Sequence, residues 1–514
     1  MKLIRNTLLI LFFLLSLAIV SLSLASYYIK PEAFKAFAEK QLSSMTLHES
    51  KIEGDVRWRL LPRPGLHVSD VTIGDTTQEK TDYAFKVQDL TFHLQFLPLF
   101  QGKIVFNKLI LDEFKLLVNF DNLNTAKPEV KKEEKPVPSK KRIFKPSIAL
   151  KQLTLSNGQV NIVRAKEVFT INDVRIETNM PNQAGEQPFH LKGEIKHESE
   201  THPFSGLVSY KGMLVLPPLN ATNTPAHIKL NGQLLLESIL AGHYQIDEIR
   251  STLNFKDEVL TLNPLTIALY GGESVGDLSY NLKTQVLQGQ QTATNIEAEP
   301  LIEQFFSIKP AKATGQMDVS IHGKAGLKQA DWQKRLQGGG NITLKNGEIR
   351  YLDIPKLTQE ATKTIKALAS QNIESLQQVL SQMKPWQINH FEGSTPFKMF
   401  NVQFEMNKDA FVSYQMLLES EKLNLKGRGT LQLETQAVHA NLKAQVISND
   451  KTTAAVQALL GGGFPILVTG TLDAPIITPD RPGIQKLMHS GDVPVEMIKS
   501  FKHLQQKIIK IPKP

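Results

Sequence analysis

A two-residue alternation of apolar and polar side chains is the feature that most constrains what this chain can fold into. Successive side chains of a β-strand point to opposite faces of its sheet, so each such run predicts a strand with one apolar face. The apolar members of the clearest runs are Leu90, Phe92, Leu94 and Phe96; Phe114, Leu116, Val118 and Phe120; Phe400, Val402, Phe404 and Met406; Val412, Tyr414, Met416 and Leu418; and Leu423, Leu425, Leu431 and Leu433. The sequence therefore predicts a mainly β fold with a mostly antiparallel sheet.

Three Asn-Gly pairs, which begin at Asn157, Asn231 and Asn346, carry the chemistry of tight turns between antiparallel strands. Two of the pairs lie in similar frames, Leu-Thr-Leu-Ser-Asn-Gly-Gln-Val and Ile-Thr-Leu-Lys-Asn-Gly-Glu-Ile. The pairs predict hairpin turns, and the similar frames indicate a repeated hairpin unit.

Helical patterns are fewer. Apolar residues recur at helical spacing from Leu357 to Leu380, and a shorter amphipathic helix is predicted from Pro31 to Leu42. Near the C-terminus, apolar residues from Val495 to Ile508 alternate with lysines at helical spacing. That pattern predicts a basic amphipathic helix, which either lies on an anionic membrane or caps the open end of the sheet.

The N-terminus carries an uncharged apolar run from Leu8 to Tyr28, which follows Lys2 and Arg5. As a helix this run would be about 30 Å long, enough to cross the core of a bilayer. A cleaved signal peptide is the competing interpretation, because Ser23-Leu24-Ala25 offers small residues for a signal peptidase. The length of the run favours an uncleaved anchor, with a cytoplasmic N-terminus and the rest of the chain exported.

A segment rich in Pro, Lys and Glu, without an apolar face, separates two predicted β regions. Such a composition is typical of a solvated linker or loop. The predicted divisions are the leader and anchor (1–30), an N-terminal β region (31–125), the linker or loop (126–147), a larger C-terminal β region (148–480) and a basic amphipathic tail (481–514).

Composition excludes several classes of function. The 514 residues include no cysteine, so a disulfide framework, a thiolate zinc site and a cysteine nucleophile are all ruled out. The formal charge is +9, but the basic residues are scattered and only 7% of residues are aromatic. Binding of nucleic acid favours a concentrated basic patch with stacking partners, so we expect no nucleic-acid partner.

The search for catalytic motifs finds one match. Gly272-Glu-Ser274-Val-Gly276 fits the G-x-S-x-G pattern of a hydrolase nucleophile, but two-residue alternation continues beyond it where that motif needs a helix. The interpretation is a glycine-rich turn between strands. The cluster of His190, His197, Glu198, Glu200 and His202 lacks helical spacing and is interpreted as a solvated loop, not a metal site. No nucleotide-binding motif occurs, so we expect no cofactor and no enzyme activity.

The segment that follows the apolar run carries a block of distinctive residues: Gly54, Trp58, Pro62, Pro64, Gly65 and Gly74. A glycine-led strand with an aromatic residue, a Pro-x-Pro-Gly turn and a second strand ending in a small polar turn resemble the AsmA family of bacterial envelope proteins. Further similarity occurs around Leu269-Tyr-Gly-Gly and in Pro465-Ile-Leu-Val-Thr-Gly-Thr-Leu-Asp-Ala-Pro. The 126–147 segment departs from the family pattern.

The resemblance implies an inner-membrane protein whose elongated, twisted periplasmic sheet curls into a hydrophobic groove, with a few peripheral helices. Its partners would be phospholipids, carried between the inner and outer membranes, and envelope proteins. The candidate groove-lining residues are Phe400, Val402, Phe404, Leu423, Leu425, Leu431 and Leu433. The candidate headgroup contacts are Arg57, Arg59 and Arg63, for which a solvated basic face is the alternative. A scaffold that assists assembly of outer-membrane proteins, without transport, is the alternative function.

Overall fold

The structure is a computed structural model of the whole chain. The described residues are 35–36, 38–40, 43, 49–59, 65–74, 83–95, 105–119, 151–164, 167–179, 185–199, 203–215, 228–242, 244–306, 313–327, 335–369, 386–387, 393–408, 410–472 and 474–480. The predicted span, the 126–147 segment and the C-terminal tail lie outside them. Within the described ranges, no helix combines the length and the apolar character needed to span a membrane.

The chain divides into two compact units: unit 1 is Met1–Asp257 and unit 2 is Glu258–Pro514. Unit 1 contains strands β1 to β11. Their bounds are β1 Ser50–Ile52, β2 Val56–Arg59, β3 Gly65–Ile73, β4 Tyr83–Leu94, β5 Phe106–Asn119, β6 Gln152–Arg164, β7 Glu167–Asn179, β8 Glu186–His197, β9 Phe204–Val215, β10 Lys229–Ala241 and β11 Tyr244–Lys256.

Unit 2 contains the remaining described strands and three helices. The strands are β12 Val259–Leu269, β13 Gly272–Asn281, β14 Val286–Glu297, β15 Gln316–Gly326, β16 Leu336–Arg350, β17 Trp386–Gln387, β18 Ser394–Lys408, β19 Ala410–Glu419, β20 Leu423–Gln432, β21 Val438–Val446, β22 Phe464–Gly470 and β23 Pro475–Pro479. The helices are α1 Ala298–Phe306, α2 Ile354–Ala369 and α3 Lys451–Leu459. The prediction of a mainly β chain with few helices is confirmed.

Each unit is built as one open ladder. In unit 1, β3 pairs with β1 and β2, and the ladder then follows chain order from β3 to β11. The β5–β6 pair is parallel, whereas the other pairs in this ladder are antiparallel. In unit 2, the antiparallel ladder runs from β12 to β16, continues from β18 to β23 and ends with β17 on β23. The predicted antiparallel character is confirmed.

The Asn-Gly pairs lie inside strands, so the prediction of hairpin turns is wrong. Asn157 and Asn346 adopt left-handed φ angles of 52° and 50° within β6 and β16. Strand β6 shifts register against β7 at this point, which is the mark of a β-bulge. The next glycine makes room for a ring of the neighbouring strand, because a Cβ at Gly158 would overlap Phe114. Asn231 lies within β10.

Bulges decide which side chains reach the apolar face. The left-handed residues Asp70, Glu113, Asp173, Ser238 and Asn295 are each followed by a residue with at most 3% of its surface exposed. The extra residue of a bulge reverses the alternation, so the apolar face passes from one parity of sequence position to the other. A single strand can therefore carry two alternating runs that are out of phase.

Strand β19 shows this effect and corrects one predicted run. The ladder shifts between Ser413 and Met416, so Met416 and Leu418 face the core whereas Val412 and Tyr414 do not. Leu418 is 2% exposed, but Tyr414 is 57% exposed. The four alternating residues were predicted to share one apolar face, and the bulge divides them between two faces.

Each unit has its own apolar cluster. The cluster of unit 1 lies on β1 to β8 and includes Ile52, Leu66, Phe114 and Val174. Helical residues within 35–43 pack beside it, where Glu39 Oε1 accepts a hydrogen bond of 2.9 Å from the backbone N–H of Ile52. This agrees with the helix predicted in that region.

In unit 2, the cluster joins the sheet to the three helices. Thr395 Oγ1 accepts a hydrogen bond of 2.9 Å from the backbone N–H of Ile354 and so caps the start of α2. Helix α2 matches the first part of the helix predicted from Leu357 to Leu380, and residues 370–380 lie outside the described ranges. Helices α1 and α3 were not predicted.

Candidate functional site

The candidate site is the apolar face of the last four strands of unit 1, which we call the open inner face. Directly paired residues share a face of a sheet, so the register defines its members. They are Phe189, Leu191, Gly193, Ile195 and His197 on β8; Phe204, Gly206, Val208, Tyr210, Gly212 and Leu214 on β9; Leu230, Gly232, Leu234, Leu236, Ile239 and Ala241 on β10; and Tyr244, Ile246, Ile249, Ser251, Leu253 and Phe255 on β11.

The opposite face of the same strands is charged, although it also carries the exposed apolar side chains of Leu207, Met213 and Leu240. Exposed side chains there include Lys192, Glu194, Lys211, Gln233 and Arg250. In contrast, most members of the open inner face are apolar, and many are only half-buried. Helices α1 to α3 belong to unit 2, and the described helical residues near the N-terminus pack on the β1–β8 cluster. The described part of unit 1 thus presents apolar surface on β9 to β11 with no helix over it.

Two glycines form the floor of this face. Gly212 on β9 and Gly232 on β10 are direct partners, and a Cβ at Gly212 would lie 2.5 Å from the Cα of Gly232. Side chains are therefore excluded from this point of the face. The phenol of Tyr210 lies beside the pair, and burial raises the pKa of Tyr210 above its ordinary value. A tyrosine is already neutral near pH 7, and burial moves its ionisation still further from that pH.

The first strands of unit 2 carry a polar pair on their apolar face. Ser274 on β13 pairs with Ile267 and Ala293, and its Oγ donates a hydrogen bond of 2.6 Å to Oε1 of Gln291. The Nε2 of Gln291 is buried and has no hydrogen-bond partner within the described part of the chain. The pair is the polar exception on this face.

Ser274 does not lie on a turn between a strand and a helix. The residues Gly272 to Gly276 belong to β13, and the turn that precedes them is formed by Tyr270 and Gly271, which has a φ of 74°. The prediction of a glycine-rich turn at this motif is therefore wrong, because the motif lies in strand β13 and the turn lies immediately before it. The strand–turn–helix geometry of a nucleophile elbow does not occur at this position.

Four of the candidate groove-lining residues lie on the same face of β18 and β20 as the core of unit 2. Leu425 pairs with Leu418, which pairs with Phe400, and these side chains belong to the cluster that contains Val456 and Leu460 beside α3. Leu423 is fully buried, and Leu425 is 4% exposed. Val402 faces the same way from β18. In this structure, protein covers the apolar face at Leu423 and Leu425.

The other three candidate groove-lining residues, Phe404, Leu431 and Leu433, lie toward the opposite end of β18 and β20. Phe404 is 6% exposed and meets Phe411 edge to face, with ring centroids 5.3 Å apart. Leu431 pairs with Phe411 and is half-buried, whereas Leu433 lies in the turn after β20. Contact of any of the seven residues with lipid stays a prediction.

The glycines of the distinctive N-terminal block have a local structural basis. A Cβ at Gly54 would lie 2.6 Å from the carbonyl oxygen of Ser69, a Cβ at Gly65 would overlap that of Phe92, and Gly74 has a φ of 77°. Trp58 lies on β2 opposite Leu66 in the ladder. Pro62 and Pro64 lie outside the described residues.

The candidate headgroup contacts are only partly described. The Arg57 guanidinium is exposed and forms an ion pair with Asp55. Arg59 is the last residue of β2, and Arg63 lies outside the described residues. Binding of lipid headgroups by these three arginines stays a prediction.

The histidine cluster is not a solvated loop at His197. His190 and His197 both lie on β8, at positions of opposite parity, so they face opposite sides of the sheet. His197 is 5% exposed and stacks on Phe169 with ring centroids 4.0 Å apart. Glu200 and His202 lie outside the described residues. Among the described residues, no group of three or more potential metal ligands comes together.

A cleft of about 520 Å³ lies where β8 turns into β9 and β10 turns into β11. We call it the rim cleft, and its lining residues are Lys196, His197, Glu198, Ser199, Pro203, Phe204, Ser205, Leu240 and Gly242. Sequence reasoning identified His197 and Glu198 but not the others. For the other lining residues, the only signal in the sequence was Phe204, which starts the alternating run of β9. The cleft as a whole could not be predicted, because strand register determines that the two hairpin ends lie close together.

Comparison with known proteins adds the family. The family model described as AsmA family matches residues 1–239 and again residues 234–410. Searches of curated proteins and of solved structures found no match. The two matches together cover more than half of the chain and include the glycine-led block and the Leu269-Tyr-Gly-Gly segment, whereas the stretch that begins at Pro465 lies outside them. The chain belongs to the AsmA family.

Proposed function

We propose that this protein supports phospholipid transport between the inner and outer membranes, and thereby outer-membrane homeostasis, by holding acyl chains on its open inner face. Membership of the AsmA family makes this function the natural hypothesis. The proposal includes no catalytic step and no cofactor. Its partners are membrane phospholipids and envelope proteins.

The observation that carries the proposal is the contrast between the two faces of β8 to β11. Leu234, Leu236 and Ile249 are half-buried and lie on a face with almost no charge, while the opposite face is charged. Exposed apolar surface is unfavourable in water by about 25 cal/mol per Å², so it favours an apolar occupant. Acyl chains are such an occupant, and they need no fixed geometry.

The proposed location is the inner membrane, with residues 8–28 as a single-pass anchor and most of the chain in the periplasm. Its support is the uncharged N-terminal run and the basic leader. A reporter that is active only after export, fused after Pro514, should be active. An inactive reporter in a stably expressed fusion would contradict this location.

A non-transporting scaffold for outer-membrane assembly is the second candidate. The filled core of unit 2, where Leu423 and Leu460 are almost fully buried, favours it for that unit. A scaffold needs no apolar ligand and instead predicts stable protein partners. The open inner face of unit 1 favours lipid as the occupant.

The proposal is tested by native mass spectrometry of the full chain extracted in a mild detergent. Phospholipid should remain bound to the wild-type protein. Leu234→Asp and Ile249→Asp place a charge on the open inner face and should lower the bound lipid severalfold. The matched controls Gln233→Asp and Arg250→Asp place the same charge on the outer face and should leave it unchanged. Absence of bound lipid, or equal loss in all four variants, would contradict the proposal.

A further inference from the structure

The rim cleft combines apolar walls with opposite charges. Leu240 is 51% exposed, and Phe204 and Pro203 add further apolar surface. On the same rim, Nζ of Lys196 lies 2.7 Å from Oε1 of Glu198. Such a mixture suits an amphipathic ligand with a polar end of more than one charge.

The charges around the cleft do not favour an anion alone. Lys196 is accompanied by Glu194 on the same face of β8 and by Glu198 beyond the strand end. Glu167 approaches from β7, with its Oε2 3.8 Å from Nε2 of His197. Among the described side chains, the cleft itself is lined by one ammonium group, Lys196, and one carboxylate, Glu198, with Glu194 and Glu167 nearby. A ligand that offers both a cation and an anion matches this arrangement.

The cleft lies at the strand ends, where Lys196, Ser205 and Leu240 face the outer side of the sheet, but it also reaches the open inner face. His197 and Phe204 line the cleft and are also direct partners on that face. From Phe204 to Tyr210 the strand advances about 20 Å, since each residue adds about 3.3 Å. The members of the face along this path are Phe204, Gly206, Val208 and Tyr210, of which Gly206 leaves a gap in the side-chain surface. An apolar chain whose polar end lies in the cleft would have a surface to lie on.

We propose that the rim cleft binds the headgroup of a zwitterionic aminophospholipid, with its phosphate against Lys196 and its ammonium group against Glu198, while the acyl chains lie along the open inner face. This inference rests on the proposed function and adds the class of lipid and the position of its headgroup. The headgroup replaces the exposed Lys196–Glu198 pair by two new ion pairs. Because exposed ion pairs are weak, the site sets preference among lipids more than total affinity.

The experiment measures competition between two lipids on the full chain in detergent. Equimolar phosphatidylethanolamine and phosphatidylglycerol are added, and native mass spectrometry reports the ratio of the two bound forms. The wild type should favour phosphatidylethanolamine by about fivefold, the factor expected from one exposed ion pair. Glu198→Lys should reverse the preference, because it removes the partner of the ammonium group and adds one for phosphate.

Matched variants control for general charge. Lys192→Glu and Glu237→Lys lie on the same outer face as Lys196 but outside the cleft lining, and should keep the wild-type ratio. Lys196→Glu should lower binding of both lipids, whereas Lys192→Glu should not. Soluble glycerophosphoethanolamine should bind far more weakly than the intact lipid. Tight binding of the soluble headgroup would contradict the role of the inner face.

The outcomes separate this inference from the function on which it rests. If the wild type binds no phospholipid of either kind, the proposed function fails. If it binds both without preference, or if Glu198→Lys and Glu237→Lys change the ratio equally, the function stands and the rim site is wrong. Circular dichroism of each variant confirms that the sheet is retained.

Discussion

The covered face of unit 2 and the open inner face of unit 1 are built from the same kind of strand but differ in what lies over them. Leu418, Leu423 and Leu425 are nearly inaccessible because side chains around α3 join their cluster. Leu234 and Leu236, at equivalent alternating positions, are half-buried. Alternation therefore specifies that a strand has an apolar face, whereas the segments between strands decide whether that face becomes a protein core.

The connections between strands supply the helices that cover the apolar face of unit 2. In unit 2, α2 follows β16, and α3 lies between β21 and β22, so each helix is placed in a connection between strands of the ladder. Gln457 of α3 donates a hydrogen bond of 3.0 Å to the carbonyl of Val446 on β21, which fixes the helix to its strand. In unit 1, β10 and β11 are joined by a tight turn, so this connection holds no helix.

The largest expected difference comes from an arginine on each face. Leu425→Arg buries an unpaired charge at a site with 4% exposure and should destabilise unit 2 by about 4 kcal/mol or more. Leu234→Arg, on the open inner face, can keep its guanidinium hydrated and should cost about 1 kcal/mol. Urea unfolding followed by circular dichroism measures both. Equal losses at the two positions would remove the distinction between the faces.

A smaller difference is expected between two glycines of unit 1. Gly158→Ala would drive its Cβ into the Phe114 ring within the packed cluster, at a cost of about 3 kcal/mol. Gly242→Ala, beside the rim cleft, meets nothing within 4 Å and carries only the strain of its φ of 64°, about 1 kcal/mol. The urea midpoint of each variant tests this order.

The control for Gly158→Ala is the same substitution made in a protein that already carries Phe114→Leu. If the ring is the obstacle, Gly158→Ala should cost less in that background than in the wild type. An unchanged cost would show that the backbone, not the ring, requires glycine at position 158.

The third prediction concerns pH and the outer face of unit 2. Hydrogen bonds from Lys345, then from the backbone N–H of Asn295, lower the pKa of Asp318. A carboxylate with a lowered pKa stabilises the fold above its unfolded pKa of about 4, and this contribution is lost as pH falls through the folded value. The stability difference between wild type and Asp318→Asn should be constant from pH 8 to pH 5 and shrink below pH 4. A difference that persists unchanged at pH 2 would contradict the assignment.

The smallest expected effect is at Ser274. Ser274→Ala removes the hydrogen bond to Gln291 and should cost about 1 kcal/mol of stability. Lipid binding at the open inner face should be unchanged, as measured by native mass spectrometry. Loss of function with intact folding would reopen the hydrolase interpretation of the surrounding motif.

Much of the strand content could be predicted because the period of two is local. Phe400, Val402 and Phe404 share a face, as expected. The β-bulges could not be predicted from the sequence. Asparagines such as Asn157 and Asn346 favour the left-handed conformation both in turns and in bulges, and only the pairing with both neighbouring strands distinguishes the two. The run through Tyr414 and Met416 failed for the same reason.

The candidate site was harder to predict than the fold. Leu425 and Leu234 have equivalent patterns in sequence, and their difference in burial depends on a nine-residue helix, α3, whose apolar pattern is too short to be distinctive. The rim cleft depends on the register that brings Leu240 opposite Ser205, which is a tertiary property. Exposure of the inner face and the position of the cleft therefore require the structure.

The central claim is that lipid occupies the open inner face, and photocrosslinking in cells tests it most directly. A photoreactive residue at position 234 or 236 should capture phospholipid, while one at position 233 or 237, on the outer face of the same strand, should not. The same probe at position 425 should capture little, because protein covers that position. Equal capture on both faces of β10, or capture of protein but no lipid at positions 234 and 236, would contradict the account.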